Sequence, residues 1–317
     1  MFLAIEVGGT KLQLGVGTGN GGPLADLRRA TVEPAAGATG ILEQIREIGA
    51  CLIREHGIQA AGIGFGGPID PLRGMVITSH QIDGWDQFPL VSWTKSEFGI
   101  PVRMGNDSDM AGLGEARFGA GRGSSVVMYS NVGSGIGGAL VIDGQSFVGG
   151  SGGAMEIGHL RPGPSATSNQ DSVEAIASGW VMAEIARDRM KTHADKEAEA
   201  IADLTARCQG DPGQLNTKIL ADAMAAGNPL AMDIFQQGIR VYGWALAQTI
   251  TLIGPNTVVI GGGVALVRES LFLDPLRQEI DRYVFPPRKD TYQIKAAELG
   301  EEVVLHGALA LAAQSSL

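Results

Sequence analysis

The sequence predicts an α/β fold of two lobes, and three observations carry that expectation. Strand-like runs alternate with segments of helical periodicity through the first hundred residues. A strand, a glycine turn and a returning strand occur twice, first around Gly8-Gly9 and again around Gly133–Gly138. At 317 residues the chain has room for two domains of ordinary size, with no low-complexity linker between them. The lobes are therefore expected to share an interface and a hinge.

Taken in order, Phe2-Leu3-Ala4-Ile5 reads as a strand that meets the turn Glu6-Val7-Gly8-Gly9-Thr10-Lys11, with Leu12–Val16 returning. The Gly19–Gly22 turn then sends the chain back along Leu24–Thr31, completing a meander. Ile41, Ile45, Ile48 and Leu52 have the spacing of an amphipathic helix over 40–56. Ala60–Phe65 is a short buried strand ending in a glycine loop, 91–98 a second helix and Pro101–Met104 a further strand. Asp107–Arg117 is expected to be helical and to lie near the link between the lobes. The second plan opens with Ser125–Tyr129, turns at Asn131–Gly138 and returns along Ala139–Ile142. From Asp171 to Ile253 the chain is mainly helical, with Asn228-Pro229 a good helix start. Thr257–Ile260 is a third strand running into a glycine turn, Gly261–Gly263, and 303–313 is a final helix.

Composition narrows the function. A formal charge of −10 argues against nucleic acid or an anionic membrane as partner. The longest uncharged stretch, Val241–Val267, carries polar residues, a proline and three consecutive glycines, so a buried helix and strand explain it better than a bilayer span. The apolar start meets Glu6 at once and is not expected to be a secretory leader. Cys51 and Cys208, far apart, fit a reducing cytoplasm and offer neither a disulfide framework nor a thiolate metal site.

The glycine turns carry the first chemistry. A turn of this kind presents backbone N–H groups in a concave nest that suits phosphate oxygens. One such turn is weak evidence, since hairpins use glycine for geometry alone. Two in matching positions, with Gly261–Gly263 as a third, favour nucleotide binding by two lobes closing on one polyphosphate. Thr10 and Ser134 could add hydroxyl donors and Lys11 a positive charge; neither a Walker nor a Rossmann pattern is present. Asp107, where a strand passes into a helix, could position an alcohol and accept its proton, as phosphoryl transfer requires. Helix capping accounts for one of Asn106 and Asp107, and Asp109 reads as structural. Glu156 and His159, three apart after a glycine run, would face one side and suit a polyol ligand.

Together and in this order, these residues resemble the ROK family of sugar kinases and sugar-responsive repressors, over nearly the whole chain. Glu6–Lys11 is similar to the family's DxGGTK phosphate motif, and Gly62–Asp70 to its GIGxPGPVD loop with Gly66 in place of proline. Gly84-Trp85 with Pro89-Leu90 resembles the NLPGW…PL segment, and Asn106-Asp107 the sugar-binding Asn and catalytic Asp. Asn131–Gly138 resembles LGTGIGG, Glu156–His159 the EIGH motif, Glu174 the acid of the CLE motif, and Pro255–Gly263 the nucleotide-side PxxIVIGGG.

The resemblance implies an actin-like, ribonuclease-H-like fold with a central cleft, divided into lobes at 1–113, with the C-terminal segment 303–317 packing back on it, and 114–302. It implies ATP and Mg²⁺, and transfer of the γ-phosphoryl to a hexose hydroxyl, often at C6, with glucose the default sugar. Asp107 would be the base. Gly67, Asn106, Glu156, His159 and Glu174, with Asp107, would hold the sugar. Gly8, Gly9, Thr10, Lys11, Gly133, Ser134, Gly135 and Gly261, Gly262 and Gly263 would hold the nucleotide, and Glu6 would serve Mg²⁺ through water. A homodimer is expected from the family.

Three departures qualify it. Glu6 stands where Asp is usual, moving the carboxylate one methylene outward, and Mg²⁺ tolerates little geometric error. Ser134 replaces threonine but keeps the hydroxyl. The cysteine-rich zinc loop is missing: Arg161-Pro162-Gly163-Pro164 follows, so no zinc is expected. A polyphosphate-using glucokinase is an alternative, though the acidic charge suggests no basic channel. A sugar-binding regulator or a degenerate kinase is another. The repressors carry a helix-turn-helix domain ahead of the first phosphate motif, and with that motif at residue 6 none is expected here.

Overall fold

A computed structural model describes residues 1–79, 81–150, 152–192 and 197–314. Its elements fall into two compact units, each containing a five-stranded sheet or most of one.

Unit 1 takes Met1–Tyr129, Ala139–Met155 and Ala297–Leu317. Its sheet starts with β1 (Phe2–Val7), β2 (Lys11–Gly17) and β3 (Asp26–Thr31), antiparallel in sequence. β4 (Ala60–Phe65) joins β1 in parallel, and the strand Val102–Asn106, the seventh in chain order and hence β7, joins β4 in parallel. Between them lie a two-stranded ribbon of β5 (Ile69–Asp70) and β6 (Met75–Val76), and two helices, α1 (Gly37–His56) and α2 (Leu90–Phe98). The helix expected over 40–56 thus begins three residues earlier; it ends at Gly57, whose φ of 57° is the left-handed conformation glycine adopts freely. Ile41, Ile45 and Leu52 of α1 are buried with Leu3, Ile5, Leu12, Leu14 and Ile63 in one core, as the apolar spacing requires.

α3 (Asp107–Phe118) follows β7, and the C-terminal helix α10 (Val303–Ala313) lies against α3, β1 and β4. Glycine makes that approach possible: a Cβ on Gly114 would stand 2.7 Å from the Val303 carbonyl, and one on Gly307 would strike the Met110 backbone. Glu115 of α3, fully buried, ties the segment before α10 in place. Its Oε1 accepts from the Glu298 and Leu299 N–H groups at 2.9 and 2.8 Å, and its Oε2 from Ala120 at 2.8 Å. The last three residues of the predicted C-terminal segment, 315–317, lie outside the described residues.

Unit 2 takes Ser130–Gly138 and Glu156–Ala296. The strands β8 (Val126–Val132) and β9 (Ile136–Ile142) pass from one unit into the other, and β10 (Gln145–Ser146) pairs with β9. With β11 (Thr257–Gly261) and β12 (Gln293–Ala296) they form a sheet of order β10-β9-β8-β11-β12, which repeats the order β3-β2-β1-β4-β7 of the first. The duplication read from the two glycine turns is therefore a duplication of topology.

The helices of unit 2 are α4 (Glu174–Ala177), α5 (Gly179–Thr192), α6 (Ala198–Arg207), α7 (Thr217–Ala225), α8 (Pro229–Ile253) and α9 (Leu273–Tyr283). Asn228 caps α8, its side chain accepting from Ala231 N–H at 3.1 Å, and Gly254 at φ 64° ends it. Ile234, Phe235, Tyr242, Leu246 and Ile250 form its buried face. Among the described residues no helix is long and apolar enough to cross a membrane.

Candidate active site

In unit 1 the predicted residues gather at the ends of β1, β4 and β7. Strands β1 and β2 close in the turn Gly8–Lys11, with Gly8 N–H donating to the Lys11 carbonyl at 3.0 Å. Gly66, just past β4, donates its N–H to the Val7 carbonyl at 2.8 Å. A Cβ on Gly66 would stand 3.1 Å from Asp107 Oδ2 and 3.7 Å from Gly8 Cα, so this glycine touches both the turn and the carboxylate. A proline here would also lose the bond to Val7, which gives the departure from the family loop a local reason. Trp85, 1% exposed, packs edge-on against Phe65 at 5.1 Å between ring centroids and supports the end of β4 from below.

Asn106 and Asp107 divide their work. Asn106 is the N-cap of α3: its Oδ1 accepts from Ser108 N–H at 2.9 Å. Its amide nitrogen donates to the Gly67 carbonyl at 3.1 Å and the Phe65 carbonyl at 3.4 Å, binding the helix start to the Gly66-Gly67 loop. Asp107 occupies the first helical position, half-buried, with Oδ1 accepting from Ser108 N–H at 2.7 Å. The helix presents its positive end to that carboxylate. Asp109, in the same first turn, is buried.

Glu6 is 7% exposed, with Oε1 3.3 Å from Lys11 Nζ and Oε2 accepting from Gln13 Nε2 at 2.8 Å. One carboxylate, completed by phosphate oxygens and waters, is the donor set Mg²⁺ takes. The ammonium beside Oε1 favours contact with the ion through water. Glu6 thus offers a carboxylate of the kind Mg²⁺ takes, with Oε1 beside the Lys11 ammonium and Oε2 held by Gln13.

In unit 2 the turn Gly133-Ser134-Gly135 is held from two sides. Gly179 N–H, at the start of α5, donates to the Gly133 carbonyl at 2.8 Å. Glu174, first residue of α4, accepts from Ile136 N–H through Oε2 at 2.7 Å. Gly262 has φ 87°, and a Cβ there would collide with the backbone of Val132 at the end of β8, so the third glycine turn packs directly on the second. Where Cβ atoms of Gly133 and Gly263 would stand there is open space within 4 Å. No side chain crowds the backbone at either glycine, the condition for close approach of phosphate oxygens.

Glu156 precedes and His159 ends a short 3-10 turn, with His159 Nε2 4.0 Å from Glu156 Oε2 and both side chains more than half exposed. Partial burial pushes the Glu156 carboxyl above its ordinary value; His159 opposes this and the Glu174 carboxylate adds to it. Gly158 lies against the Ile136 carbonyl and Glu174 Cβ, so Glu156, His159 and Glu174 surround the exit of the turn.

Three residues escaped the sequence reading. Gln13, a polar residue within the returning strand, is fully buried. Gly179 and Gln81 carry no motif; Gln81 reaches Gly9 from a loop 72 residues away in sequence. A cavity of about 440 Å³ in unit 1, lined by Arg73, Arg103, Met110, Ser146 and Gln314 among others, contains none of the predicted site residues. The group with metal-ligand spacing among the described residues, Asp26, Glu55 and His56, encloses a guanidinium instead. Arg28 binds Asp26 twice at 2.9 Å and Glu55 at 3.0 Å, and holds the Asp26 carboxyl well below the usual carboxylate range.

Known proteins resemble this chain along nearly its whole length. A glucokinase of Streptomyces coelicolor is 31% identical over 98% of this chain and 97% of its own length. A ROK family glucokinase from Streptomyces griseus, solved in complex with glucose and AMPPNP, superposes with a TM-score of 0.83 at 32% identity over 99% of both chains. The ROK hexokinase from Thermus thermophilus superposes with a TM-score of 0.80 at 28% identity, over 99% of this chain and 98% of that one. These neighbours share the actin-like, ribonuclease-H-like α/β fold. The ROK family itself matches residues 2–315, and the chain belongs to it.

Proposed function

We propose that this protein phosphorylates the C6 hydroxyl of a hexose, glucose by default, with ATP as donor. The chain is a carbohydrate kinase; the sugar, the position and the donor are proposed. The observation that carries it is Asp107, half-buried at the first turn of α3 with its Oδ1 accepting from Ser108 N–H.

In this reading Asp107 takes the proton of the sugar hydroxyl as its oxygen attacks the γ-phosphorus, and ADP leaves. Gly67, Asn106, Glu156, His159 and Glu174 hold sugar hydroxyls. The turns at Gly8–Lys11, Gly133–Gly135 and Gly261–Gly263 hold phosphates through backbone N–H groups, with Thr10, Ser134 and Lys11 adding side-chain contacts. Mg²⁺, when bound, neutralises charge on the phosphate oxygens, and Glu6 holds its water shell. The lobes are placed at 1–113 with 303–317, and at 114–302. Without cysteines near His159 the protein needs no zinc. It works in the cytoplasm as a homodimer, without nucleic acid or membrane.

A coupled assay of ADP release across hexoses and N-acetylhexosamines, run with ATP and with polyphosphate, tests this. Glucose-dependent turnover with ATP is the expected result. Tight sugar binding with no turnover on any hexose would sink the kinase chemistry, and turnover only with polyphosphate would replace the donor.

A further inference from the structure

The register of the first sheet sets three polar side chains in a row across it. Glu6 lies opposite Gln13 in β1 and β2, and Gln13 opposite Arg29 in β2 and β3. Directly opposed residues share a face and touch. Here they form a continuous line of hydrogen bonds: Arg29 Nε donates to Gln13 Oε1 at 2.7 Å, and Gln13 Nε2 donates to Glu6 Oε2 at 2.8 Å. Glu302, just before α10, lies 3.7 Å from the Arg29 guanidinium at the outer end, and Lys11 lies 3.3 Å from Glu6 at the inner end.

A fully buried glutamine in the middle of a strand is costly unless both ends of its amide are satisfied. In this one they are, and in a single orientation. Turned over, the amide would set its oxygen against the Glu6 carboxylate and its NH₂ against a guanidinium. Arg29 therefore dictates which way Gln13 points, and Gln13 dictates where Glu6 Oε2 sits.

Glutamate has one more rotatable bond than the aspartate usual at this place in the motif, so its carboxylate needs an extra restraint to hold one position. We infer that Gln13, oriented by Arg29, is a positioning residue that fixes the Glu6 carboxylate for the magnesium-water shell and makes glutamate workable there. This rests on the proposed reading of Glu6 as the residue that faces the metal.

Mn²⁺ binding to the full-length protein in the presence of ADP, followed by electron paramagnetic resonance, tests it without turnover. Gln13→Met keeps the volume and removes both hydrogen bonds; it should weaken Mn²⁺ binding by about 10-fold or more, the scale seen when outer-shell partners are lost. The Mg²⁺ concentration giving half-maximal rate should rise in step, with the sugar KM unchanged. Arg29→Ala, at a largely exposed side chain that folding tolerates, should give a smaller loss in the same direction. In a Glu6→Asp background, where the shorter acid no longer reaches Gln13, Gln13→Met should change Mn²⁺ affinity by less than about 2-fold, a non-additivity a merely structural role would not produce. Equal losses in both backgrounds, or a lower Tm with metal affinity intact in both variants, would overturn the positioning role. Glu6→Ala separates the layers: unaltered Mn²⁺ binding there overturns the reading of Glu6 and this inference with it. A loss in Glu6→Ala but none in Gln13→Met or Arg29→Ala overturns the inference alone.

Discussion

The two glycine turns that open the two halves of the chain are built in different ways. The first, Gly8–Lys11, is organised by side chains: the buried Glu6 and Gln13 in a row with the largely exposed Arg29, and Lys11 closing it. A Cβ on Gly8 would meet nothing nearer than the Lys11 carbonyl at 3.3 Å, whereas one on Gly9 would collide with the Gln81 side chain. The second, Gly133–Gly135, is organised by backbone: Gly179 N–H on one side, Ile136 N–H bound by Glu174 on the other, and Gly262 against Val132 beneath. Repeated topology thus does not mean repeated chemistry. A turn flanked by charged side chains suits a hydrated cation, and one held by backbone bonds whose one polar side chain is the Ser134 hydroxyl suits phosphate oxygens.

The strongest test of the first half is the base. Asp107→Asn should lower kcat by about 10²-fold or more and leave nucleotide affinity nearly unchanged. An unaltered kcat would remove Asp107 from the mechanism.

The second half should break at its backbone. Gly262→Val forces a β-branched residue into φ 87° and its Cβ into the Val132 backbone. A loss of about 2 kcal/mol is expected in chemical denaturation, together with weaker nucleotide binding. A variant as stable as the parent would mean that the two turns are not packed as described.

The contrast sharpens with a matched pair of milder changes. In Gly135→Ala the new Cβ would stand 2.5 Å from Glu174 Oε2, displacing the acceptor of Ile136 N–H at a cost of about 1 kcal/mol or more. Gly8→Ala should cost less than about half of that, since only the Lys11 carbonyl must give way. Equal losses in thermal denaturation would erase the distinction between the turns.

The smallest effects are those of pH. Burial raises the Glu115 carboxyl above its ordinary value despite its three backbone donors. The folded state therefore holds that proton more tightly than the unfolded chain. Its contribution to stability is fully present below the ordinary value of 4.5 and is lost as pH rises through the raised one. The Tm difference between parent and Glu115→Gln should therefore shift against the parent as pH rises through that window. For Glu156, also raised, the ligand sign is opposite: a charged acceptor is lost as pH falls, so sugar affinity should drop at a higher pH than an ordinary carboxylate would give. Glu156→Gln should flatten that limb in a binding titration.

Much of this was legible before any coordinates. The glycine turns, the apolar spacing of α1, the Asn228-Pro229 start of α8 and the Asn106-Asp107 junction are written within a few residues of chain, where local sterics and capping decide the outcome. What local pattern could not show is how the motifs lean on one another. Asn106 was expected at the sugar; in the fold its amide also serves as helix cap and as tie to the Phe65 and Gly67 carbonyls, 41 and 39 residues away.

By itself, then, the sequence determined the α/β class, the duplicated strand plan and the order of the family's motifs, because each depends on short-range periodicity and on residues whose chemistry is unambiguous. Only the tertiary structure decided that Gln13 is buried beside Glu6, that Glu174 reaches Ile136, that Gly262 seats on Val132 and that Glu115 anchors the approach to α10. Those contacts follow from strand register and close backbone approach, which join residues far apart in the chain and leave no periodic trace in either partner alone.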